Sequence, residues 1–175
     1  MTNIDTVVLI DAILHRRSIR KYTQENVSES DELSLLEAAM TAPSAGNERP
    51  WHFVMVRERA RLDAIAAFQP HSHMLKEAPL AILVCGDTSQ EMYPGFWPQD
   101  CAAATENILI TAQDLGLGAC WLGIYPVEER IKAMREYMGI PPHVIPFCLI
   151  SIGHPGEKKN GASRFDPARV HTEAW

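Results

Sequence analysis

The most constraining feature of this sequence is a run of consecutive apolar residues, Leu80-Ala81-Ile82-Leu83-Val84-Cys85. A strand that is apolar at every position, rather than at alternate positions, is typically buried on both faces of a sheet. Pro79 precedes the run and Gly86-Asp87 follows it, so turn-forming residues bound it at both ends. The run therefore predicts a central strand with other layers packed above and below it.

Residues 99–115 are predicted to form a helix that is apolar nearly all round. Cys101-Ala102-Ala103-Ala104, Ile108-Leu109-Ile110 and Ala112 leave little polar surface, and glycines follow at 116 and 118. A helix of this kind lies in a core or in an interface, because it has no face that suits water.

The remaining segments alternate between helical and extended periodicity. The predicted helices cover residues 4–15, a segment capped by Ser28 or Ser30 that stops before Pro43, residues 58–68 and residues 126–138. The other predicted strands are residues 51–56, 119–122 and 147–152. No repeat, low-complexity segment or interior linker interrupts this order. We therefore expect one domain over residues 1–175, with one sheet and helices on both faces.

The composition excludes several classes of protein. A net charge of −6 and a pI near 5.6 argue against a nucleic-acid partner. No stretch is apolar and long enough to cross a membrane, and the first residues lack the basic region of a secretory signal. The widely spaced cysteines predict reduced core thiols and a cytoplasmic location; they are Cys85, Cys101, Cys120 and Cys148.

Four of the 16 basic residues lie within six positions, at Arg16, Arg17, Arg20 and Lys21. One interpretation is a solvated charge cluster at the C-terminal end of the first helix, where cations suit the helix dipole. The other is a phosphate site, because arginine presents a planar fork of donors and Ser18 adds a hydroxyl. Charge alone favours the solvated cluster.

Familiar catalytic motifs are missing from the chain. It contains neither Gly-x-Gly-x-x-Gly nor a P-loop, and no Gly-x-Ser-x-Gly elbow. His71 and His73 form a His-x-His pair, but no third ligand lies at a suitable spacing, so we expect no metal site. Carboxylates do not cluster as an acid–base pair. A chain without evident side-chain catalysts suits chemistry that a cofactor performs.

Residues 88–98 are predicted to be irregular and carry the aromatic sequence Tyr93-Pro94-Gly95-Phe96-Trp97-Pro98. They are either a loop that packs on the core or a lid that forms a pocket wall. The sequence leaves both interpretations open.

Taken together, four segments resemble the small-protein branch of the flavin-dependent nitroreductase family. They are Arg16-Arg17-Ser18-Ile19-Arg20, Ala42-Pro43-Ser44-Ala45-Gly46-Asn47 with Pro50-Trp51-His52-Phe53, Gly116-Leu117-Gly118-Ala119-Cys120-Trp121-Leu122-Gly123, and Ile152-Gly153-His154-Pro155 with the later Arg164-Phe165. Their order and spacing fit the family over almost the full length. The interpretation of the arginines as a solvated charge cluster is then less favoured, because it does not explain why Arg164 also matches the family pattern.

The resemblance implies an α+β fold with a mixed, mainly antiparallel central sheet flanked by helices. It also implies an intertwined homodimer with FMN bound at the dimer interface, into which the helix at 99–115 packs. Residues 157–175 would form an extended C-terminal tail on the partner subunit.

The same resemblance assigns residues to the FMN phosphate. Arg16 and Ser18 would hold it, Arg164 would return from the tail to complete the clamp, and Arg17 would act mainly through its backbone. Arg20 resembles the family's cation near the pyrimidine edge of the flavin ring, where positive charge stabilises the anionic reduced form.

Further residues are assigned to the flavin ring and to the substrate. The loop that the other subunit lays against the ring corresponds to Pro43, Ser44, Ala45 and Asn47. Leu122 and Gly123 resemble the turn whose backbone amide faces the reactive nitrogen of the flavin. His71 and Phe96 are candidates for the substrate side. The chain departs from the family at Asn47-Glu48-Arg49-Pro50, where many relatives carry glutamine before the proline.

The implied activity is that of an FMN-dependent oxidoreductase that uses NAD(P)H to reduce flat, electron-poor acceptors, such as nitroaromatics, quinones and flavins, by ping-pong hydride transfer. Two alternatives stay open: a reductive dehalogenase or flavin-modifying member of the same superfamily, and a flavin-binding protein without turnover. The superfamily's dehalogenating and flavin-cleaving branches usually carry an extra lid, for which this chain has little room beyond residues 88–98.

Overall fold

The computed structural model describes residues 4–161 and 164–175, with side chains from residue 10 onward in these ranges. The helices are α1 (Ile4–His15), α2 (Glu29–Met40), α3 (Arg59–Phe68), α4 (Trp97–Asp114) and α5 (Glu128–Met138). The strands are β1 (Trp51–Val56), β2 (Leu80–Asp87), β3 (Gly118–Gly123) and β4 (Val144–Gly153). Every predicted helix and strand is present.

The strands form one sheet in the order β1-β2-β4-β3, and each neighbouring pair is antiparallel. All eight residues of β2 are buried, as predicted for a central strand. A parallel bridge from Ser18 to Ala119 adds a short extra segment beside β3 and makes the pairing mixed. The predicted α+β architecture is therefore confirmed.

Two hydrophobic cores lie on opposite faces of the sheet. Leu80, Ile82 and Val84 face the core that contains buried residues of α2 and α4. Ala81, Leu83 and Cys85 face the core that contains Leu62 and Ile65 of α3 and Met134 of α5. Because side chains alternate along a strand, a continuous apolar run supplies both cores. Helices on both faces are confirmed.

The α4 helix begins at Trp97, two residues before the predicted start, so residues 97 and 98 were wrongly placed in the irregular segment. Pro98 is tolerated because the first turn of a helix has no backbone acceptor for its N–H groups. Trp97 is buried against Phe147, with ring centroids 6.0 Å apart, and this packing fixes the start of the helix.

Other boundaries differ for local reasons. The Oγ of Ser28, rather than that of Ser30, caps α2 by accepting from the Asp31 amide at 3.1 Å. The β4 strand begins at Val144, three residues earlier than predicted, because Pro146 lies at a register shift against β2 and so does not interrupt the sheet. The α5 helix begins at Glu128 and not at residue 126.

After β4 the chain leaves the sheet, and the described residues of the tail are mostly exposed and include a short turn at Pro167–Arg169. None of the helices that the structure describes combines the length and the hydropathy that crossing a bilayer requires.

Candidate functional site

The segment after α1 lies along the outer edge of β3. Ser18 pairs with Ala119, and the Ile19 amide donates to the Ala119 carbonyl at 2.9 Å. A Cβ on Gly118 would lie 2.7 Å from Cγ2 of Ile19, so this close approach requires glycine at position 118. The pairing fixes residues 16–20 beside the strand that ends at Gly123.

Arg16, Arg17 and Arg164 line one cavity of about 440 Å³. The other lining residues are Ile13, Leu14, His15, Gly161 and Phe165. The fold thus brings the tail arginine to the arginines that follow α1, as the phosphate clamp requires. Three guanidinium groups around one cavity suit a phosphate, because each offers a planar set of charged donors.

The arginines of this cavity are partly engaged within the chain. Arg16 Nε lies 3.2 Å from Oε1 of Glu106 on α4. Arg17 Nη1 donates to the carbonyls of Leu14 at 2.9 Å and Arg16 at 2.7 Å. These contacts orient the two side chains at the cavity wall. The side chain of Arg17, and not only its backbone, lies at the cavity.

Positive charge also converges around Cys120 in β3. Burial raises the pKa of its thiol, while Arg20, Lys159 and Ser18 act in the opposite direction. Lys159 Nζ donates to the Ser18 carbonyl at 2.7 Å. Sequence reasoning missed Lys159, because it lies in a polar tail whose course no periodicity indicates.

Arg20 is fixed through its backbone and leaves its side chain exposed. Its amide donates to Oε1 of Glu157 at 2.6 Å, and this bond is the main cause that lowers the pKa of the Glu157 carboxyl. The anchored backbone and exposed side chain suit a residue that meets a ligand.

The end of β3 is open to a ligand at Gly123. The Gly123 carbonyl accepts from Gln69 Nε2 at 3.1 Å and from Arg130 Nη1 at 3.0 Å. In a strand the N–H and C=O of one residue point to the same side, so the Gly123 amide also points to the outer edge. A Cβ on Gly123 would meet nothing within 4 Å. Leu122 is buried in the core beside α3 and α5 and can offer the site only its backbone.

Gln69 is a candidate that sequence reasoning missed. The residue is 3% exposed, and its Oε1 finds no donor among the residues that the structure describes. Leaving such an acceptor unpaired costs about 1–3 kcal/mol, which makes this position beside Gly123 a candidate for the site. The resemblance indicates His71 in this segment instead, and that residue is exposed and has a φ of 61°.

The loop from Pro43 to Pro50 is held by hydrogen bonds between its own residues. Gly46 and Asn47 have φ angles of 53° and 59°, and the Arg49 amide donates to Oγ of Ser44 at 3.0 Å. In the described ranges, no hydrogen bond joins this loop to residues 16–20 or to β3. The hydrogen bonds that the structure describes tie this loop to α4 and to residue 92 rather than to the arginine cavity.

His71 and Phe96 do not share a cavity among the described residues. Of these residues, the cavity beside His71 is lined by 66–73. Phe96 is 47% exposed and precedes α4, in a segment that lies over Gly46.

Comparisons with known proteins agree with this geometry. The model of the nitroreductase family matches residues 13–75 and 67–154. A Methanothermobacter thermautotrophicus protein, provisionally named an NADH dehydrogenase/NAD(P)H nitroreductase, is 50% identical over 95% of this chain and 87% of its own length. The chain belongs to the nitroreductase family.

Solved structures give the same result. A Parabacteroides distasonis protein with the same provisional name superposes with a TM-score of 0.92 at 37% identity, over 95% of this chain and 98% of that one. A protein from Clostridium difficile, named an FMN-dependent nitroreductase, superposes with a TM-score of 0.86 at 31% identity, over 95% of this chain and 99% of that one.

Proposed function

We propose that this protein is an FMN-dependent oxidoreductase that uses NAD(P)H to reduce flat, electron-poor acceptors. One observation carries the proposal: the fold of a nitroreductase-family chain gathers Arg16, Arg17 and Arg164 at one cavity beside the β3 edge. The relative named for its FMN dependence supports the choice of cofactor.

The residues present fit both the phosphate end and the ring end of FMN. The arginine cavity offers charged donors to the phosphate, with Ser18 and Lys159 beside it. The open side of Gly123 leaves space for a ring, at the strand end where Gln69 Nε2 holds the Gly123 carbonyl. When bound, FMN supplies the redox chemistry by accepting a hydride and passing on two electrons.

The residues of this chain would bind the cofactor, orient it and tune its electrostatics. Arg16, Ser18 and Arg164 would hold the phosphate. Arg17 would support them from the wall of the same cavity. Arg20 would place positive charge where negative charge accumulates on reduction. The proposed chemistry requires no side chain to give or take a proton, because solvent supplies the protons.

We also propose that the protein acts as a homodimer in which one chain's Pro43–Asn47 loop completes the partner's site. The separation of this loop from the arginine cavity within one chain supports this arrangement. Large apolar side chains are exposed on α1, before α4 and on the tail: Ile10, Ile13, Leu14, Met92, Tyr93, Phe96, Phe165, Val170 and Trp175. Residues 157–175 are proposed to pack on the partner subunit.

The proposed acceptors are quinones, nitroaromatics and flavins. In the proposed ping-pong cycle, the nicotinamide and the acceptor occupy the same place at the ring one after the other. His71 and Phe96 remain candidates for the acceptor side, and the part of residues 88–98 that precedes α4 remains a candidate for a lid or pocket wall. A cytoplasmic location suits the proposal, because NAD(P)H is a cytoplasmic reductant and the four cysteines are free and buried.

Anaerobic mixing of the FMN-loaded protein with NADH or NADPH tests the proposal. Bleaching of the flavin absorbance within seconds, followed by recovery on addition of a quinone or nitroaromatic, is the expected result. A flavin that binds but does not bleach would identify a carrier or sensor instead. Bleaching without transfer to any of these acceptors would favour the dehalogenating or flavin-modifying activities of the superfamily.

A further inference from the structure

Glu48 and Asp100 form a pair of carboxyl groups outside the arginine cavity. Asp100 lies in the first turn of α4 and is 5% exposed, and Glu48 is half-buried in the loop before β1. Glu48 lies near enough to Asp100 to act on its carboxyl group both through charge and as a hydrogen-bonding neighbour.

Each carboxyl group also holds a second segment. Oδ1 of Asp100 accepts from the Ala45 amide at 3.0 Å. Oε2 of Glu48 accepts from the amides of Met92 at 2.6 Å and Tyr93 at 3.3 Å. The oxygens left over, Asp100 Oδ2 and Glu48 Oε1, are buried and meet no donor among the described residues.

The charges around this pair do not neutralise it. Within the described part of the chain, neither carboxyl group forms an ion pair, and Arg49 of the same loop forms none. The segment packed on the loop contributes the Glu91 carboxyl, which also acts on Asp100, and the Tyr93 phenol. Two neighbouring carboxylates repel when both are ionised, whereas a protonated Asp100 can donate a hydrogen bond to Glu48.

We propose that Asp100 keeps a proton and donates it to Glu48, and that this shared proton fastens the loop 43–50 to residues 91–96 and to the start of α4. The loop and residues 91–96 are also tightly packed against each other, since a Cβ on Gly46 would lie only 2.5 Å from Cε2 of Tyr93. Loss of the shared proton releases residues 91–96 from the loop. The proposal concerns these segments alone and holds whether or not FMN is the cofactor.

The direction of the pH dependence follows from the environment of Asp100. Burial, and then the neighbouring Glu48, raise the pKa of Asp100 above its ordinary value. The shared proton is therefore present below the raised pKa and is lost as pH rises through it. If opening releases one proton, the open fraction grows up to about tenfold per pH unit above that pKa.

Residue-resolved hydrogen exchange of the purified protein, between about pH 4 and about pH 9, tests this directly, since that range spans ordinary and raised carboxyl pKa values. We expect the protection factors of the Met92 and Tyr93 amides to fall as pH rises. In Asp100→Asn the amide keeps an acceptor for Ala45 and donates permanently to Glu48. We expect its protection factors to stay high and independent of pH.

Two further variants complete the design. Asp100→Ala removes the contact, so protection at these amides should be low at every pH. Glu129→Gln removes one negative charge from the exposed face of α5 and should leave the wild-type profile unchanged. A flat wild-type profile, or an Asp100→Asn profile that follows the wild type, would overturn the shared proton. This comparison stands even if the alanine variant does not fold.

Discussion

At the scale of single residues, three positions decide what the β3 edge can accept. Because Gly118 has no side chain, Ile19 packs closely against it, and the Arg16–Arg20 segment therefore lies beside the strand. Gly123 leaves open space at the strand end, where an alanine methyl group would enter the space proposed for the ring. Gln69 fixes the Gly123 carbonyl, and its own buried Oε1 meets no donor among the described residues. Each effect depends on one side chain or its absence.

Arg164→Ala tests the phosphate clamp. A charge-assisted contact is worth about 1.5–3 kcal/mol, so the FMN dissociation constant should rise at least about tenfold, with little change for riboflavin. Fluorescence titration with both ligands measures this. Arg169→Ala is the matched control, because Arg169 lies on the same tail and pairs only with Asp166 among the described residues. Equal losses for FMN and riboflavin would refute the clamp.

Gln69→Leu should give the opposite pattern in the same titrations. Gln69 lies at the strand end proposed for the ring, and both ligands carry that ring, so FMN and riboflavin should weaken to a similar extent. Gln24→Leu, at an exposed position far along the sequence, serves as the control. A loss confined to FMN would place Gln69 at the phosphate end and contradict the proposed orientation.

Arg20→Ala tests the electrostatics of the ring. A cation stabilises the reduced anion more than the neutral oxidised flavin, so its removal should make the two-electron potential more negative and slow reduction by NAD(P)H. Spectroelectrochemistry and anaerobic stopped flow measure the two effects. Lys21→Ala is a matched control at the neighbouring exposed position. An unchanged potential in Arg20→Ala would show that another group tunes the ring.

At the scale of helices and strands, most segments follow their own periodicity, and the differences arise where one segment meets another. The α4 helix starts early because Trp97 is buried against β4. The β4 strand starts early because a register shift accommodates Pro146. The α2 helix is fixed at its start by Ser28 and is tied to the end of β1 by the ion pair of Glu32 with Arg57.

Ser28→Ala tests the cap of α2. Losing a side-chain cap costs about 0.5–2 kcal/mol of the free energy of unfolding, because the Asp31 amide loses its acceptor. Ser30→Ala is the control, since its hydroxyl contacts Ser28 but caps no amide. Urea denaturation of both variants measures the difference. A larger loss in Ser30→Ala would mean that the cap lies at residue 30.

At the scale of the whole molecule, one chain offers only part of the proposed site. The arginine cavity and the Gly123 edge lie on one chain, whereas the Pro43–Asn47 loop is fastened to α4 through Ala45 and Asp100. The exposed apolar residues of α1 and the tail border the arginine cavity through Leu14 and Phe165. A second copy would cover this surface and bring a second loop to the site.

Light scattering tests the dimer, which should retain FMN and lose it on dissociation. Ile10→Glu places a charge on the exposed apolar face of α1. Because burying an unpaired carboxylate is costly, this variant should dissociate and release FMN. Lys132→Glu, on the exposed face of α5, should remain dimeric. A stable wild-type monomer that retains FMN would contradict the shared site.

The sequence by itself determined the helices, the central strand and the two-faced sheet, because hydrophobic periodicity is a local property that burial on a sheet requires. The motif resemblance indicated the family, which the comparisons confirm. It also named the arginines that the fold gathers at one cavity.

Only the tertiary structure decided which polar groups lose their partners. Gln69 meets Gly123 across 54 positions, and Asp100 meets Ala45 across 55. Nothing in the local sequence of either pair indicates the contact, since it depends on how α3 and α4 pack around the sheet. Whether a buried oxygen has a donor is set by all of its neighbours at once, and for that physical reason Gln69 and the Glu48–Asp100 pair emerge only from the folded chain.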